Sequence, residues 1–211
     1  MKKEQNLKEE WLENKAIFTD DSLLIKGYQV MQKWEVPYMK ELAGIATSNG
    51  GHVLELGFGL GISAGFIQQS PKIKKHTIIE AHPDVVKYAF RLYPKPLKSR
   101  RMNILQGFWE DVTPMLKDGI FDGILFDTSP LEQETVFFHF FPFFQEGSRL
   151  LKKGGIFTYF SDEAKEISSK HMQLLRQAGF NKIDFKLCRV HPPKSCRYWN
   201  HNTIVTPMVH K

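Results

Sequence analysis

Cysteine and long apolar runs are scarce in the sequence, and their scarcity excludes several classes of protein. The two cysteines, Cys188 and Cys196, are too few for a disulfide framework or a four-ligand zinc site, so we expect reduced thiols in a cytoplasmic protein. No apolar run is long enough to cross a membrane, and the N-terminus lacks the apolar core of a signal peptide. The eight histidines show no metal-ligand spacing, and no metal site is predicted.

The rest of the composition fits one ordinary globular domain. The chain has 211 residues, of which 42% are hydrophobic and 25% are charged, so it can bury a sizeable core. No internal repeat or low-complexity linker interrupts it. We therefore predict a single domain over residues 1–211, with an N-terminal lid and helix at 1–48 and an α/β core at 49–211.

Basic residues outnumber acidic residues by 29 to 23, which gives a net charge of +6. Positive surface attracts phosphate, so nucleic-acid binding is one interpretation of this surplus. We favour a solvated face instead, because no aromatic-interleaved binding motif accompanies the basic residues. The basic residues that cluster are Lys72, Lys74, Lys75, Lys87, Arg91, Lys95, Lys98, Arg100 and Arg101.

Strand-like and helix-like segments alternate along most of the chain. Residues 1–26 are predicted to form a helical or irregular lid, and Pro37 marks the first turn of a helix within 27–48. The predicted strands are His52–Leu56, His76–Glu80, Asn103–Gln106, Phe121–Asp127, Ile156–Phe160, Lys182–Val190 and Thr203–Val209. The other predicted helices are Ile62–Gln69, Pro83–Leu92, Gln133–Leu151 (ending at a Lys152–Gly155 stop) and Ala164–Ala178. This order predicts a doubly wound α/β fold whose mostly parallel sheet is covered on both faces, with the last two strands antiparallel.

A glycine-rich turn follows the first strand predicted for the core. From Glu55 to Gly59 it reads Glu-Leu-Gly-Phe-Gly, and its glycines let a ligand approach the backbone closely. A dinucleotide fingerprint would need glycine where Ile62 stands. The Glu-x-Gly-x-Gly pattern is instead similar to turns that bind S-adenosylmethionine. A plain strand–turn–helix junction is the alternative.

Three more residues stand at or just beyond predicted strand ends, where open α/β sheets bind ligands. Glu80, 21 residues after Gly59, can accept hydrogen bonds from both hydroxyls of a ribose or can be an ordinary surface glutamate. Trp109 can cover an adenine or belong to the core. Asp127 closes an apolar strand and needs a partner for its charge, either a cationic substrate or an N-cap or loop contact.

An aromatic run opens the long helix predicted before residue 151. We favour packing of its rings against the sheet over a membrane-binding or partner-binding face. The run consists of Phe137, Phe138, Phe140, Phe141, Phe143 and Phe144.

Five longer segments are together more distinctive than the glycine turn. They are Val30–Met39, Gly107–Val112, Phe121–Thr128, Cys196–Tyr198 and Thr203–Pro207. These segments resemble segments of the guanidinoacetate N-methyltransferases and follow one another in the same order. The resemblance extends from about Trp11 to the C-terminus. The resemblance implies a seven-stranded, Rossmann-like class I methyltransferase with S-adenosylmethionine as its cofactor.

The resemblance also implies which residues contact the cofactor. Trp11, Met31 and Met39 would cover it and close the cleft, with Asp127 beside it at a strand end. Its amino acid end would lie against Phe58, Gly59, Leu60, Gly61, Ile62 and Ser63. The ribose would lie at Glu80, Ala81 and His82, and the adenine at Trp109 and Glu110.

Two carboxylates match those that grip the guanidinium in the family, Glu35 and Asp127. A guanidinium offers parallel N–H pairs that suit bidentate carboxylates, and it must lose a proton to be methylated. Asp127 is the candidate base because it lies on the strand end beside the cofactor, and Glu35 would orient the substrate.

Two acids depart from the family pattern. Asp162 and Glu163 stand where backbone amides of the family receive the carboxylate of the substrate. Guanidinoacetate, converted to creatine, is our first choice of substrate. Arginine, free or peptidyl, or another guanidino-amine such as agmatine is the alternative, because an amine would meet these acids more favourably. A third hypothesis is a non-catalytic RNA- or protein-binding module. We expect a small guanidino substrate, no membrane, no nucleic acid, and a monomer or homodimer.

Overall fold

A computed structural model describes residues 2–132 and 140–211 of the protein. The helices are α1 (Lys2–Glu13), α2 (Val36–Ala46), α3 (Ile62–Gln69), α4 (Pro83–Leu92), α5 (Pro94–Lys98), α6 (Trp109–Val112), α7 (Phe143–Leu150) and α8 (Ser169–Gln177). The strands are β1 (Ile17–Phe18), β2 (Ser22–Ile25), β3 (Tyr28–Gln32), β4 (Gly51–Leu56), β5 (Ile73–Glu80), β6 (Met102–Gln106), β7 (Phe121–Phe126), β8 (Leu151–Tyr159), β9 (Lys182–Arg189) and β10 (Thr203–His210). Single 3₁₀ turns occupy Lys33–Glu35 and Thr113–Met115.

The main sheet has seven strands in the order β6-β5-β4-β7-β8-β10-β9. Strands β4 to β8 run parallel, and β10 pairs antiparallel with both β8 and β9. The predicted fold class is therefore confirmed, including the antiparallel ending. The chain builds β5 and β6 on one side of β4 and then crosses to β7 on the other, which creates a topological switch point beside β4.

Helices cover both faces of this sheet because successive residues of its buried strands point to opposite faces. On β4, Leu54 packs in the cluster formed with α7 and α8, whereas Val53 packs in the cluster formed with α2. On β7, Phe126 and Leu125 divide between the same two clusters. A strand with two covered faces needs a nearly continuous apolar sequence, which is why these strands could be read from the sequence.

The segment before the core differs from its prediction. A helix was predicted within 27–48, but the structure has β3, the 3₁₀ turn Lys33–Glu35 and then α2. Lys26 and Gly27 have left-handed backbone angles, with φ of 55° and 75°, and reverse the chain between β2 and β3. Pro37 does lie in the first turn of α2, as predicted. The lid predicted over 1–26 consists of α1, β1 and β2, and β1, β2 and β3 form a small antiparallel sheet.

Two predicted helices have different bounds within the described residues. Within the described residues α7 starts at Phe143, and residues 133–139 of the predicted helix lie outside them. The predicted stop at 152–155 lies inside β8, because Leu151 pairs with Phe121 and starts the strand. Helix α8 begins at Ser169 and not at Ala164, because the Ser168 hydroxyl caps it by accepting a hydrogen bond from the His171 amide.

The described part of the aromatic run lies in the core, as favoured. Phe140, Phe143 and Phe144 are almost completely buried and pack with Phe157 and Tyr159 of β8. The two earlier members of the run, residues 137 and 138, lie outside the described residues. In the part of the chain that the structure describes, no helix is both long enough and apolar enough to span a membrane.

Candidate active site

The switch point is held together by contact between the ends of β4 and β7. The Asp127 amide donates to the Leu56 carbonyl oxygen at 2.9 Å, so the residue after β7 is fixed beside the glycine turn. Gly57 has φ of +84°, and a Cβ atom there would lie 2.1 Å from the Asp127 carbonyl oxygen. Only glycine fits this position, so the first glycine of the turn is required for chain packing.

A cavity of about 240 Å³ opens at this end of the sheet. Its walls come from α1, β2, β3, the glycine turn and the residues that follow β5, β6 and β7. The predicted site residues that line it are Trp11, Met31, Gly59, Glu80, Ala81, Trp109, Glu110 and Asp127. Elements distant in sequence thus contribute to one cavity, and eight of the predicted residues are brought together there.

Strand β3 lies directly over the glycine turn. The Leu60 amide is 3.2 Å from the Met31 sulfur, and a Cβ on Gly59 would lie 2.7 Å from the same sulfur. Met31 is 4% exposed and also lines the cavity. The close approach of the turn to β3 therefore depends on the missing side chain at Gly59.

Glu80 closes β5 with its carboxylate facing the turn. Its two oxygens accept hydrogen bonds from the Phe58 amide at 2.9 Å and the His82 amide at 2.8 Å. Burial raises the pKa of Glu80, and these two hydrogen bonds oppose the rise. An ionised carboxylate has about four acceptor sites, so capacity for ligand hydroxyls remains.

Trp109 packs in the core and also lines the cavity. The ring packs edge-on against Phe126 and Phe143, with centroids 5.8 Å and 5.3 Å apart, so it belongs to the core. It also lines the cavity, where one face of an aromatic ligand can meet it.

The other predicted cofactor residues do not line the cavity. They are Met39, Phe58, Leu60, Gly61, Ile62, Ser63 and His82. Met39 is fully buried in the apolar cluster around α2. The Ser63 hydroxyl donates to Glu55 Oε1, and Glu55 Oε2 is 2.9 Å from His76 Nε2. These buried polar side chains connect α3 to β4 and β5 next to the glycine turn.

Glu35 is buried in the 3₁₀ turn before α2, with 2% of its surface exposed. Its Oε1 atom accepts hydrogen bonds from the Gln32 amide at 2.7 Å and the Tyr198 hydroxyl at 2.6 Å. Burial raises the pKa of Glu35 to about 7, although both hydrogen bonds favour the charged form. The described residues provide no hydrogen bond to Oε2.

Asp127 lines the cavity, and the charges of other acids act on it. Burial raises its pKa well above the usual range, and the charges of Glu35, Glu55 and Asp162 raise it further. Among the described residues no lysine, arginine or histidine forms an ion pair with Asp127 or Glu35. Near neutral pH the pair therefore retains a proton until a cation arrives.

The two acids after β8 occupy different settings. Asp162 has a left-handed backbone with φ of 54°, and its charge acts on Asp127. Glu163 instead turns into its own loop, where Oε1 accepts the Ser168 amide at 3.3 Å and lies 3.5 Å from His171 Nδ1. The amide of Glu163 donates to Ser161 Oγ at 3.3 Å. Of the two, Asp162 is electrostatically coupled to the cavity.

Tyr198 is the chief contact that was not assigned a role from the sequence. It lies in the His191–Asn202 connection, and its hydroxyl holds Glu35 across 163 positions of the chain. Its presence in the Cys196–Tyr198 segment was the available signal. The apolar walls supplied by Leu7, Leu23 and Ile25 were also missed.

The chemistry of the cavity suits a nucleoside carrying an amino acid. Glu80 offers acceptors for ribose hydroxyls, Trp109 offers an aromatic wall for a base, and the glycine turn exposes backbone close to the ligand space. S-adenosylmethionine has these parts, so the residues present fit this cofactor. Within the described ranges no group of three or more His, Cys, Asp or Glu residues could hold a metal ion.

Comparison with known proteins gives one family match over the whole chain. A sequence model of the family described as guanidinoacetate N-methyltransferase matches residues 1–211.

Similar sequences include two named protein arginine N-methyltransferase 2. The one from Candida glabrata is 39% identical over 129 residues, covering 56% of this chain and 30% of the relative. The one from Yarrowia lipolytica is 33% identical over 165 residues, covering 72% of this chain and 33% of the relative. The chain thus spans about a third of the length of these curated relatives.

A solved structure shares the fold over nearly the whole chain. The precorrin-6y C5,15-methyltransferase of Geobacter metallireducens matches with a TM-score of 0.58 and 14% identity, covering 86% of this chain and 90% of its own. Likeness at this level of identity concerns the fold alone, which is that of the class I methyltransferases.

Proposed function

The chain belongs to the guanidinoacetate N-methyltransferase family, and from this premise we propose that it methylates the guanidino group of an arginine-type substrate, free or peptidyl. The methyl donor in this proposal is S-adenosylmethionine, bound in the cavity between Trp11, Met31, Glu80 and Trp109. The proposal also includes a single domain over residues 1–211 and the cofactor contacts that the family resemblance implies.

The observation that carries the proposal is the pair of acids Glu35 and Asp127. Burial raises the pKa of both, and each charge is placed where it is unfavourable without a positive partner. A guanidinium supplies that partner, because its planar N–H pairs can bind two carboxylates at once. A site that binds only the cofactor would have no need of a second buried acid beside Asp127.

The reaction needs one methyl electrophile and one base. S-adenosylmethionine, when bound, supplies a methyl group activated by its sulfonium. Glu35, held by Tyr198 and the Gln32 amide, fixes the plane of the guanidinium. The Asp127 carboxylate accepts the proton that the methylated nitrogen loses, and its raised pKa makes it a stronger base than an ordinary aspartate. Holding the nitrogen in line supplies much of the acceleration.

Asp162 favours arginine-type substrates over guanidinoacetate. Its negative charge reaches Asp127, so a substrate with a carboxylate one carbon from the guanidino group would be repelled. A neutral peptide or an ammonium at the far end of the substrate would not be repelled. The names of the two fungal relatives agree with this choice. Guanidinoacetate is the second candidate, and the family description favours it.

A turnover screen tests the proposal. The protein is incubated with S-adenosylmethionine and, separately, arginine, agmatine, an arginine-containing peptide and guanidinoacetate, and products are identified by mass spectrometry. We expect kcat/KM for at least one arginine-type substrate to exceed that for guanidinoacetate by about tenfold or more. Faster turnover of guanidinoacetate would establish the second candidate. Silence on every guanidine, with cofactor bound, would reject both and support a binding module.

A matched pair of variants tests the selectivity argument. We expect Asp162→Asn to raise kcat/KM for guanidinoacetate relative to agmatine, because it removes the charge that opposes the carboxylate. Glu163→Gln is the control, since that side chain contacts its own loop. An unchanged substrate ratio in Asp162→Asn would show that this residue does not select the substrate.

A further inference from the structure

The net positive charge of the chain arises from one segment. Residues 72–101 contain nine Lys and Arg residues against two acids, a net charge of +7, whereas the whole chain carries +6. The rest of the protein is therefore slightly acidic. Eight of the nine basic residues are exposed, and Arg101 is the half-buried exception. Charge this concentrated creates a local field that the net charge of the molecule understates.

Few negative groups neutralise this segment. Of its two acids, Glu80 binds backbone amides at the cavity end of β5, and Asp84 pairs with Lys87 at 3.3 Å. Among the described residues no carboxylate forms an ion pair with Lys75, Lys98 or Arg100.

An open groove runs between these basic residues at the β6 edge of the sheet. Its lining residues are Lys75, Phe90, Pro94, Leu97, Lys98, Arg100, Met102, Asn103 and Ile104. The Phe90 ring is 54% exposed, which is unusual for a phenylalanine in a folded domain. The groove is thus lined by basic side chains, by apolar side chains and by one exposed aromatic ring.

The groove lies away from the candidate active site. Lys75 is near the start of β5 and Glu80 is at its end, while Arg100 precedes β6. Because β5 and β6 are parallel, the groove is near the end of the sheet opposite the carboxyl ends that form the cavity. Neither the proposed cofactor contacts nor the acid pair account for it.

We propose that this groove, defined by Lys75, Phe90, Lys98 and Arg100, binds single-stranded nucleic acid. The lysine and arginine side chains that line the groove can contact a phosphate backbone, and an unstacked base can lie on the Phe90 ring. From the sequence a solvated face was favoured, because the linear pattern does not show that the Phe90 ring is exposed next to the basic residues. An acidic peptide would use the same cations but has no planar group to cover Phe90.

Fluorescence anisotropy with a labelled oligouridylate of about 12 nucleotides tests the proposal on the full chain. We expect binding at about 50 mM salt that weakens steeply as salt rises. Lys98→Glu with Arg100→Glu should weaken it at least tenfold and reduce the salt slope. Phe90→Ala should weaken it about fivefold or more with the slope retained. Lys165→Glu with Lys194→Glu, two exposed lysines outside the segment, makes the same change in net charge and should have little effect.

Several outcomes would overturn the proposal. They are absence of binding at low salt, equal weakening by the two double variants, and no effect of Phe90→Ala. Equal or tighter binding of a labelled oligoglutamate peptide would assign the groove to acidic protein segments instead. The proposal is independent of methyl transfer, and turnover of guanidino substrates in Lys98→Glu with Arg100→Glu should match that of the unmodified protein.

Discussion

Asp127 combines three properties that a base for the proposed reaction needs. It follows a central strand at the switch point, its backbone is fixed to Leu56, and its carboxylate is made more basic by burial and by neighbouring acids. We expect Asp127→Asn to lower kcat by about a hundredfold or more, because asparagine cannot accept the guanidinium proton. Release of S-adenosylhomocysteine measures turnover, and titration calorimetry measures cofactor affinity, which should be largely retained.

An exposed acid provides the control for this substitution. Asp20→Asn, in the turn between β1 and β2, removes the same charge away from the cavity and should leave turnover unchanged. If Asp127→Asn kept substantial activity, the proton would have to leave by another route. If it lost cofactor binding as well, Asp127 would be a cofactor ligand first.

The buried Glu35 carboxylate, when charged, destabilises the folded protein by an amount that can be measured. Its pKa rises from 4.5 to about 7 on folding, so the folded state binds a proton more tightly than the unfolded chain. Its contribution to the free energy of unfolding therefore falls by at most roughly 3 kcal/mol as pH rises from about 4.5 to 7. Above pH 7 the contribution stays at this lower value. We expect Glu35→Gln to raise the melting temperature by several degrees at pH 8 and much less at pH 4.5.

The same variant should lose activity because its amide cannot balance a guanidinium. Glu41→Gln, an exposed position on α2, is the control and should shift neither quantity. A melting-temperature difference that stays constant across this pH range would show that burial does not perturb the pKa of Glu35.

The site residues that could be predicted from the sequence are those that end or directly follow a strand of the parallel sheet. Asp127 and Glu80 follow apolar strands, so a parallel sheet brings them to one edge whatever the loops do. Asp162 and Glu163 are adjacent and chemically alike, and only the Ser168 amide and His171 divide their roles. Loop hydrogen bonds of this kind depend on the folded backbone, so the sequence offered no means of separating the two acids.

At the scale of elements, α1 is the part of the lid that meets the cavity. Trp11 is 5% exposed and lines the cavity, while the next residue, Leu12, is 38% exposed. Lys8 fixes the helix to Asp111 with a 3.0 Å ion pair. We expect Trp11→Ala to weaken S-adenosylhomocysteine binding about tenfold by calorimetry, because the cavity loses its largest apolar cover.

Leu12→Ala is the neighbouring control and should leave binding nearly unchanged. Melting curves of both variants show whether the core remains folded. Equal binding by Trp11→Ala and the unmodified protein would mean that α1 does not cover the cofactor.

Strands covered on both faces, and helices whose start is marked by proline, could be predicted from the sequence. Elements that form only because a distant segment pairs with them could not. Pro37 marked the start of α2 because proline lacks the amide that a helix interior requires. Tyr28–Gln32 was placed in a helix, yet it forms β3 because β2 lies antiparallel to it. The helix predicted from Ala164 starts at Ser169 because Ser168 caps it. Residues 164–167 therefore belong to the loop that contains Asp162 and Glu163.

At the scale of the whole molecule, the sheet separates two kinds of charge. Cavity acids lie beyond the carboxyl ends of the parallel strands, and the groove lined by Lys75, Lys98 and Arg100 lies toward their amino ends. From Ile73 to Glu80 strand β5 spans roughly 23 Å at about 3.3 Å per residue. The Debye length is about 10 Å at 0.1 M salt, so an approaching substrate experiences mainly the charges nearest to it.

This separation predicts the sign of a salt effect that net charge alone would predict wrongly. A chain of +6 should repel a cationic arginine peptide, and added salt would then raise kcat/KM. Asp127 at the cavity, together with Glu35 and Asp162 whose charges act on it, instead attracts the peptide, so we expect kcat/KM for the peptide to fall as salt rises from about 0.05 to 0.3 M. Zwitterionic guanidinoacetate carries no net charge and is the control, with a much weaker dependence. A rise for the peptide would mean that the distant basic segment governs approach.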